Sequence, residues 1–161
     1  MKRGPLIALG ICAFLLIYLL MVGLSMSKQS VPDMNRENAT IMLNELGSAF
    51  QDASPARVLA FAAPEATVAG QDLDNTRKLL VAVFRELKHP RVDWSDINVE
   101  HDADRAHVTA RVEVRDGDTS KYDAKLGFVI VKRTESKLFG LVKVDRWKIL
   151  SVDAPNIPDI K

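Results

Sequence analysis

Residues 106–115 read AHVTARVEVR, and this stretch decides the fold of the larger part of the chain. Ala106, Val108, Ala110, Val112 and Val114 alternate with His107, Thr109, Arg111, Glu113 and Arg115, the period-two pattern of a strand with one apolar and one wet face. Just upstream, VDWSDINVE (92–100) reads as a second strand, but Val92 and Trp94 have the opposite parity to Ile97 and Val99. That slip predicts a bulge near Ser95 and Asp96, which would bend the sheet. Requiring the apolar faces to coincide pairs Val99 with Val108 and Ile97 with Ala110, sets Glu100 opposite His107, and leaves Ala103 and Asp104 at the hairpin tip. Downstream, RDGDTSK (115–121) is a turn; Val112 against Ala124 then places Ala110 opposite Leu126 and Val108 opposite Phe128, small against large. A last strand over about 144–152 carries Trp147 and Ile149, and Pro155 and Pro158 prevent its continuation.

Ahead of the strands the period is helical. Asp33 or Asn35 can cap a helix over about 35–51, with Ile41, Leu43, Leu46, Ala49 and Phe50 as its apolar residues. Ser54 followed by Pro55 starts a second helix, because serine caps free amides and proline is tolerated at the first helical position. Pro64 interrupts, and ATVAG (66–70) reads as a turn or a short extended piece. A third helix runs from Asp72 or Asp74 to about Lys88, with Leu73, Leu79, Leu80, Val83, Phe84 and Leu87 on one side, and His89–Pro90 ends it. Three helices followed by about four antiparallel strands predict an α+β domain, with helices covering one face of a bent sheet.

The beginning of the chain is different in kind. Residues 5–24, PLIALGICAFLLIYLLMVGL, contain no charge and are long enough, at about 30 Å as a helix, to match a bilayer's hydrocarbon core. The expectation is a transmembrane helix over 5–24, with 1–4 in the cytoplasm and 25–34 as a short linker. The domain then occupies 35–154 and a tail 155–161. Lys2 and Arg3 orient the N-terminus inward, which would place the domain on the periplasmic side of a bacterial inner membrane. A cleaved secretory leader is the alternative: Ser25 and Ser27 are suitably small for cleavage, although the apolar run exceeds the usual leader core.

Charge and cysteine content exclude several functions. The chain has 22 Lys plus Arg against 21 Asp plus Glu; without Lys2 and Arg3 the count is 20 against 21, so no basic excess for nucleic acid exists. Cys12, the only cysteine, lies within 5–24, so no thiol nucleophile or disulfide is available beyond that stretch. No glycine-rich phosphate loop, nucleophile elbow or haem-attachment sequence occurs, and no cofactor is expected. His101, Asp102, Asp104 and His107 are of metal-ligating type, but the register sends the two histidines to opposite faces, and a polar hairpin tip accounts for the group without a metal.

The order of elements, with LLVAVFRELKHPRV (79–92) leading into the first strand and VDRWKILSVDAP (144–155) near the end, resembles the nuclear transport factor 2-like superfamily, also called SnoaL-like, of cystatin-like fold. The resemblance covers about 35–154. It implies a cone in which a bent sheet wraps around helices, and enzymatic members hold an acid or histidine base inside that cone. Here the predicted inward face, Ala106 to Val114 with Tyr122, Leu126, Phe128 and Ile130, carries no acid. Asp96 at the bulge and Tyr122 are the polar groups that could serve a pocket. A second candidate site is the connection before the last strand, KRTESKLFGLVK (132–143), where Leu138, Phe139 and Leu141 lie between Lys137 and Lys143; six basic residues over 132–148 exceed two acidic ones by four. Such a segment suits contact with a partner or with lipid headgroups, although Leu138, Val142 and Val144 could equally continue a strand into the core.

Non-enzymatic members of the superfamily serve in membrane-bound assemblies. With an inward face that holds no acid, the resemblance implies a non-catalytic single-pass subunit or assembly factor of a larger membrane complex, its partners being the membrane and other transmembrane subunits. The alternative is a small apolar ligand, bound or transformed in the cone by an isomerase- or cyclase-like enzyme.

Overall fold

The computed structural model describes residues 30–102, 104–137 and 142–155. Its elements run α1 (Arg36–Gln51), α2 (Pro55–Leu59), β1 (Ala62–Val68), α3 (Leu73–Glu86), β2 (Pro90–Asp102), β3 (Arg105–Asp116), β4 (Thr119–Lys137) and β5 (Val142–Asp153). The strands form one sheet in the order β1-β5-β4-β3-β2. Of the described residues, those within 32–132 and 147–155 make one compact unit, and those within 133–146 belong to a second.

Each helix starts where its sequence offers an acceptor for free amides. The Asn35 carboxamide accepts from the Asn38 N–H at 2.8 Å, the Ser54 hydroxyl from Arg57 at 3.4 Å, and the Asp72 carboxylate from Asn75 at 2.8 Å. Asn35 and its neighbours also fasten the entering chain: the Asn38 side-chain amide donates to the Asp33 carbonyl at 2.7 Å, and Met34 is buried. On α1, Ala39, Met42, Leu43 and Ala49 form the buried stripe. It lies on Ala106, Val108 and Ala110 of β3, Phe128 and Ile130 of β4, and Ile149 of β5, with Trp94 packed against the same cluster.

The period-two reading of β3 holds in detail. Val99 pairs with Val108, Glu100 with His107, Val112 with Ala124, Ala110 with Leu126 and Val108 with Phe128. The bulge falls at the parity slip: Ser95 pairs with Arg111 and Asn98 with Thr109, so Asp96 and Ile97 together oppose Ala110. Asp96 takes a positive φ of 51°, a left-handed conformation that aspartate tolerates better than most residues. At the next turn Asp116 pairs with Thr119, with Gly117 at φ 59° supplying the reversal.

Two expectations are corrected. The sheet has five strands rather than about four, because Ala62–Val68 pairs parallel with β5 as its edge strand. Pro64 had suggested an interruption; at an edge its missing N–H is tolerated, and pairing lapses only between Ala62 and Thr67. The Ala69 N–H then donates to the Val152 carbonyl at 2.8 Å, extending an attachment that local pattern alone does not reveal. The second correction concerns the anchor. The predicted transmembrane helix over 5–24 lies outside the described residues, and among the described residues no helix is long and apolar enough to cross a membrane. The single-pass inner-membrane placement built on that helix is therefore withdrawn.

Candidate functional site

The candidate pocket groups do not converge. Asp96 is exposed at the bulge, beside Arg111, Asp123 and Lys125 around an open surface depression. Tyr122 does not aim a free hydroxyl at a cavity: its O–H donates to the Pro155 carbonyl at 3.0 Å and ties down the end of β5, and burial pushes its pKa up. Around Asp96 the charges form a ladder on one sheet face. Glu113 and Asp123 stand directly opposite across β3 and β4, a pairing of like charges that costs stability unless compensated. Arg111 answers by gripping Asp123 through two hydrogen bonds of 2.8 and 2.7 Å, and Arg115 takes Glu113 at 2.6 Å. These bonds hold both carboxyls below their ordinary pKa and raise those of the two guanidinium groups. The result is a self-neutralised array on exposed strands.

The opposite face of these strands is filled with hydrocarbon. Ala106, Val108 and Ala110 are fully buried, Ile130 is 1 % exposed and Phe128 3 %. Phe128 meets Trp94 edge to face at 5.9 Å, and Trp94 in turn lies against Gly47 of α1. The Trp94 indole N–H is buried without a hydrogen-bond partner among the described residues.

The histidines separate as their register requires. His101 pairs with Ala106 and turns its ring edge to face on Trp147 at 5.9 Å, while the neighbouring position His107 pairs with Glu100. Among the described residues no group of three His, Cys, Asp or Glu side chains could hold a metal ion. Trp147 has a role that sequence reasoning missed: its indole donates to the Pro32 carbonyl at 2.9 Å, 115 positions earlier, and so pins the chain just before α1. The signal for this was a lone tryptophan on an edge-proximal strand, which by itself names no partner.

Of the candidate contact segment, Leu138, Phe139 and Leu141 lie outside the described residues; Lys137 ends β4, and Lys143 is exposed on β5. The flanking strand ends form a ribbon. β4 runs six residues beyond Val131, which pairs with Arg105 of β3, and β5 begins seven residues before Ile149, which pairs with Ala62 of β1. Thr134 donates to Asp145 at 2.7 Å and Arg146 lies 3.6 Å from Glu135 across this ribbon.

No family model and no curated protein matches the sequence. Solved structures do match the fold. A Nostoc punctiforme protein of unknown function with a cystatin-like fold superposes at TM-score 0.55 and 15 % identity, over 79 % of this chain and 98 % of its own. A member of the nuclear transport factor 2-like family from Streptomyces avermitilis matches at TM-score 0.51 and 13 % identity, over 73 % and 91 %. The Bdellovibrio bacteriovorus protein Bd1075 matches at TM-score 0.59 and 8 % identity over 73 % of this chain, which spans only 38 % of that longer protein. The domain thus has the cystatin-like, nuclear transport factor 2-like fold; identities this low speak to fold alone.

Proposed function

We propose that this domain is a non-catalytic docking module, an accessory or stabilising component of a larger protein assembly. The observation that carries the reading is the filled inner face of the sheet. Where the fold's enzymes would hold an acid or base, this chain packs Ala106, Val108, Ala110, Phe128 and Ile130 against Ala39 and Leu43, with Trp94 closing on Gly47. The candidate pocket groups, Asp96 and Tyr122, are spent on a surface bulge and a structural hydrogen bond. Contact with a partner falls to the β4–β5 ribbon. A two-stranded ribbon is marginal by itself in water, and this one bears a basic excess and the apolar residues Leu138, Phe139 and Leu141 between its strands. Bd1075, in which the matching domain is a minor part of a longer chain, is in keeping with a fold used as an added module.

The test is native electrophoresis of the tagged full-length chain from its own cells, beside Phe139→Asp, with the fold of both verified by circular dichroism. A discrete large species that the substitution dissociates supports the reading. A lone monomer, or equal retention of both proteins, contradicts it. The ligand-binding alternative has one observation in its favour, the partnerless Trp94 indole N–H, and a co-purifying small molecule displaced by Trp94→Phe would support that reading instead.

A further inference from the structure

Among the described residues two large apolar side chains stand out in solvent: Ile41 on α1, 51 % exposed, and Val81 on α3, 37 % exposed. Each is the middle member of a row spaced by four residues, so the three side chains of a row lie along one side of the helix. On α1 the row is Glu37, Ile41, Glu45; on α3 it is Arg77, Val81, Arg85. All six are exposed. The rows have the same spacing, the same apolar centre and opposite charge.

Among the described residues the four charged ends are also unpartnered. Some exposed charges find partners, as in Arg57–Asp52, Arg111–Asp123, Arg115–Glu113 and Arg146–Glu135, whereas among the described residues Glu37, Glu45, Arg77 and Arg85, like Arg91 and Lys125, have none. Neighbouring residues reduce the contrast without reversing it. Beside the α1 row Asn44 and Ser48 are neutral and Arg36, at the helix start, offsets one of the two glutamates, while Glu86 at the end of α3 offsets one positive charge there. Lys78 adds positive charge beside the α3 row, and Asp74, in the first turn where the helix dipole favours an anion, leaves that row net basic.

We propose that the Glu37–Ile41–Glu45 face of α1 docks on the Arg77–Val81–Arg85 face of α3 in a second copy of this chain. The complement of each row is carried by the chain itself, which is the reason to name a second copy as the occupant. Ridges made of residues four apart interdigitate in the commonest class of helix crossing, so Ile41 meets Val81 at the crossing and the long Glu and Arg side chains reach across on both sides. Each row reads the same in either direction, so parallel and antiparallel approaches satisfy the charges equally. The contact closes as a two-fold pair if it is made twice, or continues head to tail if it is not. Exposed ion pairs are individually weak and are screened by salt, so the association is concentration-dependent and strongest at low ionic strength. This surface is distinct from the ribbon assigned to the partner assembly, and the inference does not depend on that assignment.

Sedimentation equilibrium of the full-length chain at low salt, across the micromolar to millimolar range of weak contacts, tests the proposal. Two double variants are compared with the wild type: Glu37→Lys with Glu45→Lys, and Arg77→Glu with Arg85→Glu. Each should weaken association at least about tenfold by setting like charges face to face. An equimolar mixture of the two should regain it, because each variant then offers the row the other lacks. All four residues are exposed, and circular dichroism checks that folding is intact. A wild type that stays monomeric throughout overturns the proposal. So does association that ignores both charge reversals, as contact through residues 5–24 would, or a mixture that fails to recover.

Discussion

Gly47→Ala sets two effects of similar size against each other. Glycine in a helix interior costs about 1 kcal/mol relative to alanine, so propensity alone favours the substitution. The added methyl, however, would stand 3.0 Å from the Trp94 indole nitrogen, 3.6 Å from Val92 Cβ and 3.7 Å from Trp94 Cδ1. Ordinary carbon contacts begin at about 3.5 Å, so the indole would have to retreat by about half an ångström. Its retreat is opposed by Phe128, which meets the ring edge to face and is itself buried. Overpacking of this kind costs about 1–3 kcal/mol, and we expect the clash to win by about 1 kcal/mol. For a domain of this size that corresponds to a fall of about 4 °C in Tm. Thermal unfolding followed by circular dichroism measures it. The decisive comparison is the double-mutant cycle with Trp94→Ala, which removes the ring atoms that meet the new methyl. In that background Gly47→Ala should stabilise by about 0.5–1 kcal/mol, a change of sign at one position. A Tm raised equally in both backgrounds would refute the close approach of α1 to Trp94.

Further predictions concern the clamps. Asn35→Ala removes the acceptor for the Asn38 amide and should cost about 1 kcal/mol, read as a lower Tm with the native sheet signal retained below the transition. Trp147→Phe keeps an aromatic ring but releases the Pro32 carbonyl; limited proteolysis near residues 30–35 should accelerate severalfold, and an unchanged cleavage rate would show that the bond holds nothing in place. Asp116 accepts from the His89 and Lys88 amides at 2.7 and 3.0 Å, and these bonds depress its pKa below the ordinary 3.8. A depressed carboxyl contributes its stability above the unfolded value and loses it as pH falls through the folded one. Amide exchange at Lys88 and His89 should therefore be slow at pH 5 and quicken only well below about pH 4. In Asp116→Asn that acid-dependent step should vanish.

Alternation from Ala106 to Val114 determined strand, faces and register together, because a shift of one residue would turn every valine to water. The parity slip between Trp94 and Ile97 located the bulge for the same reason. Capping chemistry at Asn35, Ser54 and Asp72 located the helix starts, since a free amide takes the nearest acceptor. The edge strand β1 was not legible: Ala62–Val68 contains a proline and no alternation, and its pairing with Ile149 and Val152 lies more than eighty positions away. The candidate pocket was legible in residue type but not in direction. Nothing in the order of letters says that Tyr122 would be taken up by Pro155 or that Asp96 would face outward.

Local chemistry by itself determined where helices begin, where strands turn and which strand faces are apolar, because those depend on neighbours within a few residues. Only the tertiary structure decided which elements meet: the Trp147 grip on Pro32, Gly47 against Trp94, and the clasp of Arg111 on Asp123 across two strands. Such contacts join residues far apart in the chain, and their partners are chosen by the packing of the whole domain rather than by any stretch within it.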